Sequence, residues 1–408
     1  MTRRELIGTG AAMLTAASQS RIWGANERLS IALIGCGARG LQLQPYFQRL
    51  NGPLTAVCDV WRTRAEKAQS LAPGSQVIDD HRKILDIRGL DAVIVATSDH
   101  WHARIAIDAL NAGKDVYVEK PLTRTIAEGA AIIDAARTNS RICQVGAQQR
   151  SGTHYIQARD EYLKTGELGK INLVRTWWTD GAGGGQANRS VNAAAPTGSH
   201  AVPPGMTNKP ADLDWNRYLA PVRWRPWDPP QFFNFRNYMD FCGGILTDKY
   251  VHWVDVVHMF MGEQVPLTAD AAGGIYVAKD GRTVPDTLSV HYEYPGNWIC
   301  TYTNIGQGGL QREGIEFCGT QGHLLIDRTK YEFFPPDSKA QPRVVECKTD
   351  LVEEHVRNFI ECVKSRQMPN GDVAVGHRSA LAAHLGNLSW MERRRIHFDP
   401  DRESALPE

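Results

Sequence analysis

Residues 29–40 decide the fold, and they read LSIALIGCGARG. The first six form a mostly apolar run that is typical of a buried strand. Glycines follow at Gly35, Gly37 and Gly40 with the spacing G-x-G-x-x-G, and a helical stretch comes directly after them. Such glycines permit a tight turn, a close approach of the backbone to a pyrophosphate, and close packing of helix on strand. Between a strand and a helix, this fingerprint predicts a dinucleotide site, the alternative being a glycine turn that binds no nucleotide.

Residues 28–150 continue as an alternation of strands and helices. Further strands are predicted at residues 54–58, 92–96, 116–118 and 142–145. Helices are predicted at residues 41–50, 65–71, 104–111 and 125–138. This alternation predicts an α/β Rossmann-type dinucleotide-binding domain, with a parallel sheet covered by helices on both faces.

The pattern changes in the second part of the chain. A strand is predicted at 171–179, a long loop at 181–212, and strand-like runs without intervening helices from 269 to 334. Helices are predicted at residues 155–164, 246–261, 351–365 and 379–393. This order predicts an α+β domain with an antiparallel or mixed sheet. We place it at residues 151–395, with closing helices that pack back on the first domain and a tail at 396–408.

Composition and charge narrow the class of protein. The chain has 408 residues, of which 42% are hydrophobic and 22% charged, as in ordinary globular domains. Lys and Arg number 46 against 45 Asp and Glu, so the net charge of +1 gives no sign of nucleic-acid binding. The eight cysteines form no C-x-x-C pair, and we expect no metal site.

The N-terminal 27 residues differ from the rest of the chain. Arg3 and Arg4 precede a short apolar run that is rich in small residues, as in a twin-arginine export signal. The run is shorter than the ~20 apolar residues that a membrane-spanning helix needs, and no later segment of the sequence is a candidate for such a helix. We therefore expect an exported, periplasmic, bacterial protein without a membrane span. The alternative is a cytoplasmic protein with an irregular tail.

Asp59 bears on the choice of cofactor. It ends the second predicted strand, 19 residues after Gly40. A carboxylate in this place binds the adenosine ribose and repels a 2′-phosphate, which favours NAD. Arg62 and Arg64 lie close by in sequence and leave NADP open.

Two further turns follow strands of the predicted parallel sheet, whose carboxyl ends bind ligands. Thr97 and Ser98 follow the third strand, with His102 soon after, and we expect them to line the cofactor. Glu119 and Lys120 follow the fourth strand, where a lysine can hold and polarise a substrate hydroxyl. The alternatives are a packing role for the histidine and a surface Lys–Glu pair.

A polar face on the helix at 246–261 gives the second strong signal. Asp248, His252 and Asp255 are spaced i, i+4 and i+7 after two glycines. An aspartate beside a histidine fixes its tautomer and raises its basicity, as a general base requires. Metal binding and a plain polar helix face are the alternatives.

Together these motifs resemble the glucose–fructose oxidoreductase/inositol dehydrogenase/MocA family over about residues 28–395. The arginine pair and residues 214–227 look like its exported bacterial branch. The resemblance implies that the second domain has a largely antiparallel open sheet, used for substrate and for contacts in a homo-oligomer. It also implies that Lys120, Asp248 and His252 are catalytic, and that residues 145–150 reach the active-site cleft.

Two residues depart from the family pattern. Tyr250 stands where a glycine is frequent, and Ala147 where an aromatic residue is common. Both departures concern the shape of the pocket. The predicted substrate contacts are Lys120, Arg150, Asp248 and His252. The predicted cofactor contacts are Gly35, Gly37, Ala38, Arg39, Gly40, Asp59, Thr97, Ser98, His102, Glu119, Lys120 and Gln148.

These features predict an NAD(P)-dependent oxidoreductase that acts on a secondary hydroxyl of a sugar, glycoside or cyclitol. NAD is the expected cofactor and NADP the alternative. A second hypothesis is an NAD-retaining glycosidase that oxidises, eliminates and re-reduces its substrate. A third is a non-catalytic NAD-binding protein, which the set Lys120, Asp248 and His252 argues against.

Overall fold

The computed structural model of the protein describes residues 28–179, 202–203, 205–262, 264–305, 313–337 and 339–406. The predicted export signal and most of the predicted loop at 181–212 lie outside these residues.

The first domain is a Rossmann-type α/β domain. Its elements are β1 (Ile31–Ile34), α1 (Ala38–Asn51), β2 (Ala56–Cys58), α2 (Arg62–Ser70), β3 (Gln76–Ile78), α3 (His81–Leu85), β4 (Ala92–Val95), α4 (His102–Asn111), β5 (Asp115–Val118), α5 (Ile126–Thr138) and β6 (Cys143–Val145). The six strands are parallel, in the order β3-β2-β1-β4-β5-β6. Every residue of β1, β4 and β5 is buried, because helices cover both faces of the sheet. The predicted fold class is confirmed.

The second domain is built on a larger sheet. Its elements are α6 (Thr153–Ala158), β7 (Ile171–Thr179), α7 (Trp215–Leu219), α8 (Pro229–Phe233), α9 (Val251–Met261), β8 (Thr268–Gly274), β9 (Thr287–Tyr294), β10 (Trp298–Ile305), β11 (Glu313–Gly319), β12 (Gly322–Ile326), β13 (Lys330–Phe334), β14 (Arg343–Glu346), α10 (Leu351–Ser365), α11 (Val373–Glu392), β15 (Ile396–Asp399) and β16 (Ser404–Ala405). The ten strands run in the order β14-β13-β12-β11-β7-β10-β9-β8-β15-β16. Only the pair β7–β10 is parallel among the described strands of this sheet.

One face of this sheet is covered. Buried and exposed residues alternate along β9 and β10, and the buried set packs against α9 and α11. Trp253 of α9 and Leu385 of α11 belong to this core. Helix α9 is thus one of the two helices that cover the sheet, and it also carries part of the site.

The two closing helices also contact the first domain. Phe359 of α10 packs against Phe47 of α1, with ring centroids 6.1 Å apart. Arg137 of α5 pairs with Asp372, which caps α11. The end of the chain therefore fixes the second domain to the first and stabilises the cleft between them.

Several elements differ from the sequence predictions. β3 and α3 are not predicted, since β3 has three residues, none of them buried, and α3 has five. The helix predicted at 246–261 begins with a π-helical turn at Leu246–Tyr250. The helix predicted at 379–393 begins at Val373 and is mostly buried, so the sequence lacks a polar face that would mark its start.

Candidate active site

A cleft of about 750 Å³ lies at the carboxyl ends of the parallel strands. Ile34, Asp59 and Ala96 line it from the first domain, and Asp248 and His252 line it from the second. Ligands of open parallel sheets bind at this edge. The topology therefore brings the fingerprint and the polar helix face to one site.

The fingerprint loop fits a dinucleotide pyrophosphate. Gly35 has φ +95°, and a side chain there would lie 2.5 Å from the main chain of Ala96. A side chain at Gly40 would lie 2.0 Å from the carbonyl oxygen of Gly35. At Gly37 the nearest atom is 3.8 Å away, in the Arg64 guanidinium, so this part of the loop is open to a ligand. Helix α1 begins at the next residue, Ala38, and directs its first amides toward that space.

Asp59 ties the fingerprint loop to the end of β2. Its Oδ2 accepts a hydrogen bond from the Cys36 amide and its Oδ1 one from the Trp61 amide, each at 2.8 Å. Burial raises the pKa of Asp59, while Arg64 and the two amides act in the opposite direction. The carboxylate lines the cleft. Asp59 therefore has a structural role in addition to the predicted ribose contact.

Thr97, Ser98 and His102 line the same cleft. The His102 ring lies 2.7 Å from the Pro121 carbonyl oxygen and 3.2 Å from that of Thr97. Burial lowers the pKa of this histidine. A neutral ring can donate to only one of these two oxygens, and the shorter distance is the one to Pro121, so His102 contacts both turns that follow β4 and β5 but forms one hydrogen bond to the main chain.

Two other predicted cofactor residues contact the Glu119 carboxylate. Arg39 Nη2 lies 2.7 Å from Glu119 Oε1, and Gln148 Nε2 donates to the same oxygen at 3.1 Å. Gln148 also contacts the Tyr117 hydroxyl at 3.1 Å. A side chain at Gly146 would lie 2.6 Å from Glu119 Oε1, so that glycine leaves room for the carboxylate.

Lys120 and Asp248 form an ion pair inside the cleft. Lys120 Nζ lies 2.9 Å from Asp248 Oδ1 and donates to the Asp248 carbonyl oxygen at 2.6 Å. Arg236 Nε lies 3.0 Å from the same Oδ1. Burial alone would raise the pKa of Asp248, but the two cations outweigh it and hold that pKa well below its usual range.

The predicted hydrogen bond between Asp248 and His252 does not form. His252 Nδ1 is buried without a hydrogen-bond partner among the described residues. The π-helical turn before α9 adds a residue to that turn, so the i, i+4 alignment expected of an α-helix is lost. The His252 ring instead stacks on Trp178, with centroids 6.4 Å apart and an interplanar angle of 26°. Burial, then Lys120 and Arg328, hold the pKa of His252 well below its usual value, so the ring is neutral at neutral pH.

Arg150 lies behind the cleft and does not line it. It forms a buried ion pair with Asp255, with Nε 2.8 Å from Oδ2. The Ser379 hydroxyl donates to Asp255 Oδ1 at 2.8 Å. The predicted substrate contact of Arg150 therefore has no support in the geometry, because its guanidinium is engaged with Asp255. Lys120, His252 and Asp255 share only a cavity of about 10 Å³ on this side.

Several residues of the cleft are not singled out by the sequence patterns. They are Asp99, Trp178, Arg236, Lys249 and Arg328. Asp99 follows β4 directly in the turn already predicted to bind a ligand, and burial raises its pKa to about 7. The others come from β7, from the short turn Phe235–Asn237 after α8, from the π-helical turn and from the turn between β12 and β13. No local motif links such distant segments.

Potential metal ligands lie elsewhere. In the described part of the chain, Glu316, Cys318 and His323 are the one group of three with ligand atoms within 4.8 Å of one another. They lie on β11 and β12 and do not line the cleft. The described residues also contain no helix of the length and apolar character that a membrane span needs.

The chain matches two family models. One is described as an oxidoreductase family with an NAD-binding Rossmann fold and matches residues 29–147. The other is the C-terminal alpha/beta domain of the same oxidoreductase family and matches residues 197–407. The chain therefore belongs to this oxidoreductase family, the glucose–fructose oxidoreductase/inositol dehydrogenase/MocA family, and its first domain is the NAD-binding domain. The resemblance to this family and the predicted cofactor NAD are confirmed.

The curated relatives align with only part of this chain. The inositol 2-dehydrogenase of Rhodococcus erythropolis is 33% identical over 152 residues, which are 36% of this chain and 44% of that protein. A glycosyl hydrolase family 109 protein of a Shewanella species is 34% identical over 129 residues, 29% of this chain and 28% of that protein. The chain thus matches less than half the length of these relatives.

A solved structure extends the likeness in fold to nearly the whole chain. Levoglucosan dehydrogenase in complex with NADH and L-sorbose has a TM-score of 0.71 and 18% identity, covering 91% of this chain and 98% of that one. At this identity the likeness concerns the fold of both domains.

Proposed function

We propose that the protein is an NAD-dependent oxidoreductase acting on a secondary hydroxyl of a sugar, glycoside or cyclitol. The Lys120–Asp248 ion pair carries the proposal, because it lies in the same cleft as the dinucleotide cradle. The inositol dehydrogenases among the relatives support the substrate class.

The residues of the cleft have separate roles in the oxidation of an alcohol. The fingerprint loop and Asp59 would hold NAD, which when bound would supply the hydride acceptor for the carbinol carbon. Lys120, positioned by Asp248, donates a hydrogen bond to the substrate oxygen and stabilises the charge that develops on it. His252 is neutral, so a ring nitrogen accepts the hydroxyl proton as the carbonyl forms. Asp248 remains ionised throughout because its pKa is held low.

We propose that NAD is preferred over NADP. Asp59 places a carboxylate at the end of β2, where the adenosine ribose of the cofactor lies in this fold. Arg64 lies over the rings of Trp61 and Phe232, with its Cζ 5.0 Å and 4.7 Å from their centroids. Arg64 also lines the cleft beside Gly37, so the preference for NAD rests on the Asp59 carboxylate. Comparing the affinities of the two cofactors in the unmodified protein and in Asp59→Ala tests the preference, and tighter binding of NADP by the unmodified protein would contradict it.

We also propose that residues 1–27 direct twin-arginine export of a homo-oligomeric enzyme. The paired arginines Arg3 and Arg4 support the export signal. The homo-oligomer follows from the resemblance to the family, which implies that the open sheet makes contacts between copies of the chain. Replacing both arginines by lysine should retain the protein in the cytoplasm without changing its melting temperature. Unchanged export of that variant would contradict the assignment.

The glycosidase hypothesis stays as the second candidate because a glycosyl hydrolase family 109 protein matches the chain. Such an enzyme re-reduces its oxidised intermediate, so it releases the aglycone with no net NADH. A simple dehydrogenase accumulates NADH and a ketone.

One experiment separates the two. Purified protein is supplied with NAD and a panel of cyclitols, sugars and aryl glycosides, and NADH and free aglycone are followed together. We expect NADH to accumulate with at least one polyol. Aglycone release without NADH would establish the glycosidase instead, and neither signal from protein that binds NAD would contradict both.

A further inference from the structure

Three side chains of the kinds that bind metals lie together on the outer face of the large sheet. Ile315 and Phe317 of β11 are fully buried in the core. Side chains alternate along a strand, so Glu316 and Cys318 point to the opposite, outer face. His323 of β12 is the direct partner of Cys318 in the antiparallel register. Paired residues lie on the same face of a sheet, so strand pairing places the three side chains next to one another.

The spacing of the donor atoms is close to that of a metal site. One donor atom from each of the three side chains lies within 4.8 Å of the other two. His323 Nδ1 is 3.2 Å from Glu316 Oε1. A tetrahedral zinc ion with bonds of about 2.0–2.3 Å holds its ligand atoms about 3.3–3.6 Å apart. The histidine and the carboxylate already have this spacing. Rotation of the partly exposed side chains can shorten the other distances by the remaining ~1.5 Å or less.

Arg175 of β7 orients the carboxylate of this cluster. Its Nη1 lies 2.8 Å from Glu316 Oε2, whereas Glu316 Oε1 is directed at His323. Neighbouring groups typically fix the orientation of ligating carboxylates in this way. One carboxylate oxygen is therefore left for a cation. The charge of Arg175 opposes a cation, and the thiolate that Cys318 forms on binding a metal compensates for it.

The surroundings of the cluster are partly apolar. Each of the three side chains has an apolar residue opposite it in a neighbouring strand. These residues are Leu173, Leu325 and Phe334. An apolar shell around metal ligands limits the access of water and lowers the local dielectric, which strengthens the attraction between a cation and its anionic ligands.

We propose that Glu316, Cys318 and His323 bind a zinc ion that joins β11 to β12. Thiolate sulfur, imidazole nitrogen and carboxylate oxygen are the ligand types that zinc takes in proteins. Three ligands from the chain leave a fourth tetrahedral position, which points away from the sheet and takes a water molecule. The thiol proton of Cys318 leaves to solvent as the sulfur binds the metal.

The site differs from the expectation drawn from the cysteines of the sequence. Their spacing predicts no metal site, because the ligands are one cysteine, one histidine and one carboxylate on two strands. Only the pairing of β11 with β12 brings them together. The site is also independent of the proposed reaction, since none of its three ligands lines the cleft.

Zinc binding by the purified full-length chain tests the proposal. The protein is freed of metal with a chelator and dialysed against Zn²⁺, and its zinc content is compared with that of Cys318→Ala and His323→Gln. Cys347→Ala and His397→Gln are the matched controls, because this cysteine is also partly exposed and this histidine is also exposed, and neither belongs to the cluster.

We expect the unmodified protein to bind zinc at this site and both controls to bind it equally well. Loss of a group that orients a ligand typically costs about 10–100-fold in affinity, so loss of a ligand itself should cost at least about 100-fold. No zinc binding by the unmodified protein would overturn the proposal. Equal affinity in Cys318→Ala and in the unmodified protein would also overturn it.

Cobalt identifies the ligand without relying on the variants alone. Co²⁺ takes the place of Zn²⁺ in such sites, and its near-ultraviolet charge-transfer band appears only when a thiolate is bound. We expect the band in the unmodified protein and in Cys347→Ala, and its loss in Cys318→Ala. Absence of the band from the unmodified protein, or its persistence in Cys318→Ala, would contradict the assignment.

Amide hydrogen exchange tests whether the ion joins the two strands. Zn²⁺ should slow the exchange of the amides of β11 and β12 in the unmodified protein, because opening of this strand pair then requires loss of the metal. The same addition should leave exchange in Cys318→Ala unchanged. Equal exchange with and without Zn²⁺ in the unmodified protein would contradict a zinc ion between these strands.

Discussion

Two aspartates of one helical segment, Asp248 and Asp255, each pair with a base from the first part of the chain. Asp248 meets Lys120 in the cleft, and the two side chains keep 25% and 14% of their surface exposed. Asp255 meets Arg150 behind the cleft, where the exposed fractions are 2% and 5%. Both pairs join an aspartate to a basic side chain, but the Lys120 pair is partly exposed to solvent and the Arg150 pair is almost completely buried.

This difference assigns different roles to the two pairs. An ion pair that lines an open cleft and keeps part of its surface exposed can exchange hydrogen bonds with an arriving hydroxyl. A buried pair has no such freedom, and breaking it leaves an uncompensated charge in the interior. We infer that the Lys120 pair acts in the reaction and the Arg150 pair holds the catalytic helix in place.

The largest effect should come from Lys120→Met. Loss of one positioned donor that stabilises the charge developing on the substrate oxygen typically costs ~10²–10³ in rate. We expect this loss in turnover, with unchanged NAD affinity and melting temperature. Lys114→Met is the control, because Lys114 precedes the other end of β5 and does not line the cleft. Full activity of Lys120→Met would remove the lysine from the mechanism.

Arg150→Met should act on stability. Removing one partner of a buried pair costs about 3–5 kcal/mol in the free energy of unfolding. Arg49→Met removes the partner of Glu353 at the surface, where such pairs contribute about 0–1 kcal/mol. Urea unfolding of both variants makes the comparison. If the two lose the same small amount, the Arg150 pair is not structural in the sense proposed.

A smaller effect concerns pH and the histidine next to the Arg150 segment. His355 Nε2 lies 2.8 Å from the Val145 carbonyl oxygen, its Nδ1 lies 2.8 Å from the Ser151 hydroxyl, and burial lowers its pKa to about 4. The unfolded chain therefore binds the extra proton first as pH falls below about 6.5, and stability decreases with acidification. His355→Gln should reduce this dependence by up to about 1.4 kcal/mol per pH unit between about pH 6 and pH 4.5. An unchanged slope in urea unfolding at several pH values would contradict the prediction.

How far the sequence predicts the molecule depends on how local each signal is. The fingerprint and the apolar strands define the Rossmann domain within short stretches, and Lys120 follows from its place after β5. The pairing of Asp248 with His252 is wrong because the spacing assumes an α-helix, and a π-helical turn is not visible in the pattern. The environment of Trp178 depends on Lys249 and Arg328, which distant segments supply. Only the folded sheet brings them together.

One measurement tests the central claim most directly: the single-turnover rate of NAD reduction in Asp248→Asn beside Asp255→Asn, each at saturating NAD. We expect Asp248→Asn to lose about 10²-fold in rate, since misplacing a reacting group costs that order, and to keep its urea midpoint. Asp255→Asn should keep the rate of the folded protein and lose midpoint. The reverse pattern, or equal losses of rate in both variants, would contradict the division of the two pairs into a catalytic one and a structural one.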